Sequence, residues 1–280
     1  MFRGGGLCID SDGLVALNRV IVRHNVTGKG GGGGGGGIYN QGKLTINNSL
    51  IEANIGGNIG GGIGHHGEQL TINNSAIVNN EGYRSGLTLG GQAVLKNVTI
   101  SGNHQSDDSF TATGGWGVTV FASVHMRNVT ITDNGNTKVW MDLSNRGGGV
   151  LVTSQGRLTM QNSLVAENEV YDISGSITSN GFNLVGNAGQ LNVLAASGDQ
   201  LGSATRPINP RLDDLSYTGG FTPTHALLPG SPAIDGGSNL APISDPTSCL
   251  SKDQRGVSRP QDGDGRLPNV CDIGAFELEP

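Results

Sequence analysis

The apolar and polar positions of this chain follow one pattern that returns six times. Each copy has a polar residue at its centre. The residues four and two positions before this central residue are apolar, and the residues next to these apolar positions are mostly polar. The third position after the centre is Val or Ile, and each copy ends three residues later in Asn. Alternation with a period of two predicts short strands with one buried face. The centres are Arg19, Asn48, Asn74, Asn97, Asn128 and Asn162.

A repeat of about two dozen residues cannot bury its apolar face alone, so the copies must stack. Stacking aligns the apolar positions into ladders inside and the closing Asn residues into a ladder at a turn. Asn suits such a turn because it tolerates the left-handed region and its amide can bond its neighbours above and below. We therefore predict an all-β fold, a single-stranded parallel β-helix of about seven coils, right-handed because parallel crossovers nearly always are. The closing residues are Asn25, Asn54, Asn80, Asn103, Asn134 and Asn168.

The chain divides where the repeat ends. We assign 1–198 to the β-helix, with a degenerate seventh coil around 182–187, and 199–280 to a Pro- and Gly-rich cap laid over the open edge of the last coil. Because the chain opens directly on a Gly-rich repeat start, we expect an N-terminally truncated β-helix. Cys249 and Cys271 lie in the cap region. A disulfide between them would contribute about 3 kcal/mol and indicate an exported setting, and two free thiols are the alternative.

Composition narrows the function classes. With 49 Gly and only 4% aromatic residues, a wide core filled by rings is not available, whereas a narrow aliphatic core is. A net charge of −6 without an offsetting basic face argues against nucleic acid as a partner. A membrane span needs about 18 consecutive apolar residues, and the chain has no such run.

Variation in repeat length falls at one corner, between each closing Asn and the next strand, and such corners often form the binding face. The segments 104–117 and 135–149 are predicted to be neighbours there, and each carries a tryptophan. Rings beside charged groups suit a sugar or a protein surface. The alternative is that both tryptophans fold over the core as lids. The predicted ligand-binding residues are Trp116, Trp140, Phe110, Tyr83 and Arg84.

The same two segments leave an enzyme open as an alternative. Carboxylates beside basic groups are the residue types that a lyase or hydrolase of acidic polysaccharides needs, although none of these residues sits on a predicted strand. We therefore predict no catalytic residues for a binding protein and, for an enzyme, the set Asp107, Asp108, Asp142, Lys138 and Arg146.

Several smaller features carry two interpretations each. Lys96 and Arg127 fall in one outward column near His125, which indicates a solvated basic strip or an anion-binding or catalytic-base site. The pair at 65–66 in GHHG is interpreted as a surface turn, with a metal pair as the alternative. Asp262 and Asp264 resemble the start of a calcium loop, but Arg266 stands where a third oxygen is expected. A tight turn is therefore preferred, and no cofactor is predicted apart from that calcium alternative.

Two sets of motifs resemble known families. GGGI at 35–38 and 60–63, followed by [IV]xxN, resembles the repeats of polymorphic outer-membrane proteins. TGGFTPTHALLPGSPAIDGGSN at 218–239, DQRGVSRPQDGDG at 253–265 and CDIGAFE at 271–277 resemble the C-terminal region of bacterial choice-of-anchor Q domain proteins, which often carry a CSLREA motif. The resemblance implies an extracellular or cell-surface, pectin-lyase-like β-helix and implies no enzymatic activity.

Together these features predict an exported, non-catalytic β-helix for surface display, adhesion, or binding of a polysaccharide or a surface protein. A polysaccharide lyase or glycoside hydrolase acting on acidic polysaccharide is the alternative.

Overall fold

The structure of the protein is a computed structural model that describes residues 4–28, 34–57, 59–84, 86–105, 115–135, 148–240, 245, 248–263, 265 and 270–280. Within them the chain forms strands and no helix, and no segment is a helix long and apolar enough to span a membrane. Nearly all strands belong to one parallel ladder system in which each strand pairs with its equivalent one repeat later. The protein is therefore an all-β parallel β-helix, which confirms the predicted fold class.

The strands follow the chain coil by coil. The first three coils contain β1 (Leu7–Ile9), β2 (Leu14–Asn18), β3 (Ile21–Arg23), β4 (Ile38–Asn40), β5 (Lys43–Asn47), β6 (Leu50–Glu52), β7 (Ile63–His65), β8 (Gln69–Val78) and β9 (Glu81–Gly82). The next three contain β10 (Leu87–Leu89), β11 (Gln92–Ser101), β12 (His104–Gln105), β13 (Val118–Val120), β14 (Ser123–Thr132), β15 (Val150–Val152), β16 (Arg157–Gln161) and β17 (Leu164–Val165). The last pairings involve β18 (Ile173–Ser179), β19 (Leu184–Val185), β20 (Gln190–Asn192) and β21 (Gln200–Leu201).

Each full coil has three faces. We call them the first face (β1, β4, β7, β10, β13, β15), the second face (β2, β5, β16 and the N-terminal halves of β8, β11 and β14) and the third face (β3, β6, β17 and the C-terminal halves of β8, β11 and β14). The second and third faces meet at the central residue of each repeat, where φ is 44–55°. Pairing continues as far as Leu201, slightly beyond the predicted boundary at 198.

The core is the aliphatic ladder that the repeat predicts. The residues before and after the centre form one cluster through the solenoid, and from the second coil onward they are almost fully buried. Ile51, Ile77, Ile100 and Ile131 form one such column, and each is 0% exposed. Burial of one such side chain stabilises the fold by roughly 1.5 to 3 kcal/mol.

The closing Asn residues form a hydrogen-bonded ladder inside the corner that joins the third face to the next coil. Each side-chain amide donates to the Oδ1 of the next Asn, at 2.9 Å for both Asn80 to Asn103 and Asn103 to Asn134. The prediction that the closing Asn is the left-handed residue was wrong. The residue before it has the positive φ, for example Asn79 and Asp133 (both φ 56°). The turn is made one residue earlier, so the amide points inward to bond backbone groups.

The Gly-rich starts of the repeats have a steric cause. A Cβ at Gly36 would lie 2.3 Å from the carbonyl oxygen of Gly61, and one at Gly37 would lie 2.8 Å from that of Gly62. Successive coils stack backbone on backbone here, and only glycine leaves room for that approach.

We call the predicted cap, residues 199–280, the C-terminal segment. Its described residues lie along the third face and not over the open edge of the last coil, so the predicted placement of the cap was wrong. Outward residues towards both ends of the third face are apolar and pack against segment residues in two clusters, whereas those of the coils between them are Thr and Ser. Leu215 packs on the β6 and β8 side, and Phe276 packs near β17 and β19. An outward apolar face must be covered, and this is why the segment runs back along the solenoid.

Polar contacts fix the segment on that face. His225 Nε2 lies 2.8 Å from Ser101 Oγ, Thr99 Oγ1 donates to Gln254 Oε1 at 2.8 Å, and the backbone N–H of Ala275 donates to Thr130 Oγ1 at 2.9 Å. A disulfide joins Cys249 to Cys271 within the segment.

The tail motifs meet in one buried ionic network. Arg259 and Glu277 form a 3.0 Å ion pair with both side chains fully buried, and the N–H of Asp272 donates to Glu277. Burial and the nearby Glu277 raise the pKa of Asp272 to about 8. Asp253 accepts four backbone N–H groups and pairs with Arg255 at 2.8 Å. The charged residues of DQRGVSR and CDIGAFE are thus accounted for by packing.

Candidate ligand-binding surfaces

Most of the predicted corner residues lie outside the described part of the chain. This applies to the whole predicted catalytic set and to two of the predicted aromatic contacts, so their roles stay predictions. The residues concerned are Asp107, Asp108, Phe110, Lys138, Trp140, Asp142 and Arg146.

Trp116 is a core residue and not a surface contact. It is 1% exposed, and its Nε1 donates to Gln105 Oε1 at 3.1 Å. The following residue, Gly117, donates its N–H to Gly148 in the next coil, so the segment is held against the solenoid. The assignment of Trp116 as a ligand contact was wrong because the indole is not accessible, and its burial agrees with the lid alternative.

Arg84 stacks on two aromatic rings. Its Cζ lies 5.7 Å from the ring centroid of Tyr83 and 5.0 Å from that of Phe121. Its Nε is buried and has no hydrogen-bond partner among the described residues. Phe121 comes just before β14, so this stacked cation borders the second face.

The histidines of GHHG differ in environment. His65 is 0% exposed, with its Nδ1 2.9 Å from Asn40 Nδ2 and its Nε2 3.0 Å from the carbonyl oxygen of Gln92. Nε2 therefore carries the proton, and burial lowers the pKa of His65 to about 4. The surface-turn prediction was wrong for His65, whereas His66 is exposed. Partial desolvation and the charge of Arg84 lower the pKa of His66.

The second face stays open to solvent and is basic. Its outward residues from β5 to β16 are mostly exposed or half-buried, and none is Asp or Glu. The register confirms that Lys96 and Arg127 share a column on adjacent coils, with His125 beside them. The basic residues among these outward residues are Lys43, Lys96, His125, Arg127 and Arg157.

A groove of about 200 Å³ lies on this face. Arg127 forms one wall, where its guanidinium donates to the carbonyl oxygen of Ser248 (Nε to O, 2.9 Å) and to that of Cys249 (3.2 Å). Burial lowers the pKa of Arg127, and Asp245 offsets part of this effect. The groove is lined by polar and apolar groups of four coils, namely Val94, Leu95, Lys96, His125, Met126, Arg127, Thr159, Gln161 and Asn180.

A second cleft, of about 570 Å³, lies at the corner where the variable segments leave the solenoid. It is acidic: Asp133 and Glu167 occupy the same left-handed position of successive coils, and Glu169 lies nearby. Desolvation and the charges of Asp133 and Asp172 raise the pKa of Glu167. His104 is the basic group of its lining, with Nε2 3.8 Å from Glu81 Oε2.

Sequence reasoning missed these carboxylates because it assigned the turn to the closing Asn. The residue before each closing Asn was the available signal, since a side chain in that left-handed position points out of the corner. Arg157 was also missed, although its place directly before the first inward residue of its strand, Leu158, predicts an outward cation.

The described residues contain no group of three or more His, Cys, Asp or Glu that could hold a metal ion. Asp262 lies within them, with a buried Oδ1 that lacks a hydrogen-bond partner, whereas Asp264 lies outside them. The calcium alternative therefore stays untested.

With the fold and these surfaces defined, comparison with known proteins adds no relative. No family model, no curated protein and no solved structure matches the chain.

Proposed function

We propose that the protein is an exported or cell-surface, non-catalytic β-helix that binds a glycan or a protein partner through its second face. One observation carries the proposal. The third face is covered by the C-terminal segment, and the outward residues Tyr39, Thr88 and Thr119 of the first face are buried, whereas the second face stays open over successive coils. A rigid, regular and polar strand surface is a suitable platform for a partner, because its side chains are held by the ladder.

The setting at a cell surface or outside the cell is supported by chemistry. The disulfide between Cys249 and Cys271 favours an oxidising compartment. The motif resemblance to choice-of-anchor Q proteins points the same way and stays part of the proposal.

Binding would be tested with purified protein on an array of neutral and charged glycans. Thr159→Trp places a ring in the groove, and Ser154→Trp is the matched control at an exposed turn. We expect binding that is lost in Thr159→Trp and retained in Ser154→Trp, with equal melting temperatures for both variants. Absence of binding to every glycan would contradict the glycan part of the proposal, and binding that Thr159→Trp leaves unchanged would contradict the second face as the binding surface.

A glycoside hydrolase at the corner cleft is the second candidate. Two carboxylates in neighbouring coils, one of them with a raised pKa, form the pattern of a general acid beside an ionised partner. Glu167 would be the acid and Asp133 the second carboxyl group of the pair. Because the cleft is acidic, a neutral glycan suits it better than the acidic polysaccharide that the sequence predicts as the substrate of an enzyme. Release of reducing sugar ends, lost in Glu167→Gln and Asp133→Asn, would support this candidate over a binding protein.

A further inference from the structure

We infer that the second face binds an acidic glycan, a carbohydrate chain that carries carboxylate or sulfate groups. This inference rests on the proposed function and names its ligand. The chain has a net charge of −6, yet the outward residues of the second face from β5 to β16 include Lys and Arg and no carboxylate. Such a separation of charge gives this face a local potential opposite to that of the molecule as a whole.

Three of these basic residues, two of them cations and one an imidazole, are accessible to a ligand. Lys96, His125 and Arg157 are exposed, whereas Lys43 pairs with Glu68 at 3.0 Å and Arg127 is held by the C-terminal segment. They come from three successive coils. Because parallel strands lie about 4.8 Å apart, a polymer that crosses the coils would meet a basic side chain on each of the three coils.

The C-terminal segment extends this basic surface at one edge. The carbonyl oxygen of Lys252 accepts a hydrogen bond from Asn97 Nδ2 at 2.9 Å, and its side chain is exposed. Asn97 follows Lys96, so the two ammonium-bearing residues lie on the same border.

The uncharged residues of the face favour a sugar over other polyanions. Apart from Val94, the outward positions between the basic residues carry amides and hydroxyls, which can bond sugar hydroxyls. None of the described outward positions from β5 to β16 carries an aromatic residue, and stacking platforms for nucleic-acid bases require them. The members of this polar set are Thr45, Asn47, Gln69, Thr71, Asn73, Gln92, Ser123, Thr159 and Gln161.

Calorimetric titration of the full chain would test the inference with three probes: uronate and sulfated oligosaccharides, the methyl ester of the same uronate, and oligothymidylate. The charge variant is Lys96→Gln/Arg157→Gln, and Arg206→Gln is the control because Arg206 is an exposed cation outside the second face. We expect at least one acidic oligosaccharide to bind, and the charge variant to bind it roughly tenfold more weakly, since each exposed ion pair contributes up to about 1 kcal/mol. Salt should weaken binding to the native chain.

Three results would overturn the inference: no acidic oligosaccharide binds, the ester binds as tightly as the free uronate, or oligothymidylate binds as tightly as the glycans. Equal loss of affinity in Arg206→Gln would also overturn it. If a neutral glycan binds, is blocked by Thr159→Trp and is unaffected in the charge variant, the proposed function stands and this inference falls.

Discussion

Replacement of Asn103 by Asp tests whether the buried amide ladder holds the solenoid together. The Asn103 amide donates to the carbonyl oxygens of Ile77 (2.9 Å) and Ser101 (3.2 Å) and to Asn134 Oδ1 (2.9 Å). Its Oδ1 accepts from the N–H and the side-chain amide of Asn80. The substitution keeps shape and acceptors but removes every donor, so a carboxylate oxygen would face three acceptor oxygens in a site that is 0% exposed.

The size of the effect follows from these contacts. The two N–H groups of the amide, which serve the three acceptors between them, contribute about 1 kcal/mol each, and a buried charge without a cation adds several kcal/mol. We expect the variant to lose at least about 4 kcal/mol at neutral pH, which is in the range of exceptional single substitutions.

The loss should depend on pH in a defined direction. Burial and the surrounding oxygens would raise the pKa of the introduced carboxyl in the folded state above its unfolded value of about 3.9. The variant is then most stable below the unfolded pKa, where the protonated group donates one hydrogen bond, and it loses stability as pH rises through the folded pKa.

Urea unfolding followed by far-ultraviolet circular dichroism at about pH 4 and pH 7 measures this effect. Asn18→Asp is the matched control, because the Asn18 side chain is exposed and its Oδ1 only accepts, from Asn47 at 2.8 Å. The control should change by less than about 0.5 kcal/mol. An equal effect of the two substitutions, or a loss in Asn103→Asp that does not change with pH, would refute the role of the ladder.

Three further predictions address the core, the tail and a buried acid. Ile100→Asp should abolish cooperative melting because an unpaired charge enters the aliphatic ladder, whereas Lys96→Asp on the same strand should not; a cooperative melt in Ile100→Asp would defeat the inward assignment. Cys249→Ser/Cys271→Ser should lower the free energy of unfolding by about 3 kcal/mol in urea titrations, and a loss near zero would contradict it. Burial raises the pKa of Asp172 to about 6, above the unfolded value, so its contribution to stability should fall by roughly 1 kcal/mol from pH 5 to pH 7; calorimetric melts that rise over this range would contradict it.

The β-helix could be predicted because equivalent positions of successive repeats pair in adjacent coils, so the repeat indicates the register of the strands. An inward column such as Ile77, Ile100 and Ile131 needs only a period and a closing residue to be recognised, and the paired Asn residues mark the same turn in every copy. The right-handed sense of the coil stays a prediction, since it rests on the general rule for parallel crossovers.

The course of the C-terminal segment could not be predicted from its own composition, but the solenoid contained the evidence. In the third face, the neighbouring residues Ala76, Ile77 and Val78 are all apolar and all 0% exposed. A strand that is apolar on both sides is buried on both sides. A prediction from the inward positions alone therefore misses the outward apolar surface that the segment covers.

The candidate surfaces were harder to predict because their chemistry depends on what the segment leaves uncovered. Lys96 and Arg127 were recognised as one column from the repeat, yet the same column would be buried if the segment lay on the second face. Apolar outward residues at both ends of the third face, and the Thr and Ser between them that bond the segment, hold the segment there, and the second face keeps hydroxyls, amides and cations. One distribution of outward side chains thus decides both where the tail packs and which face remains available to a partner.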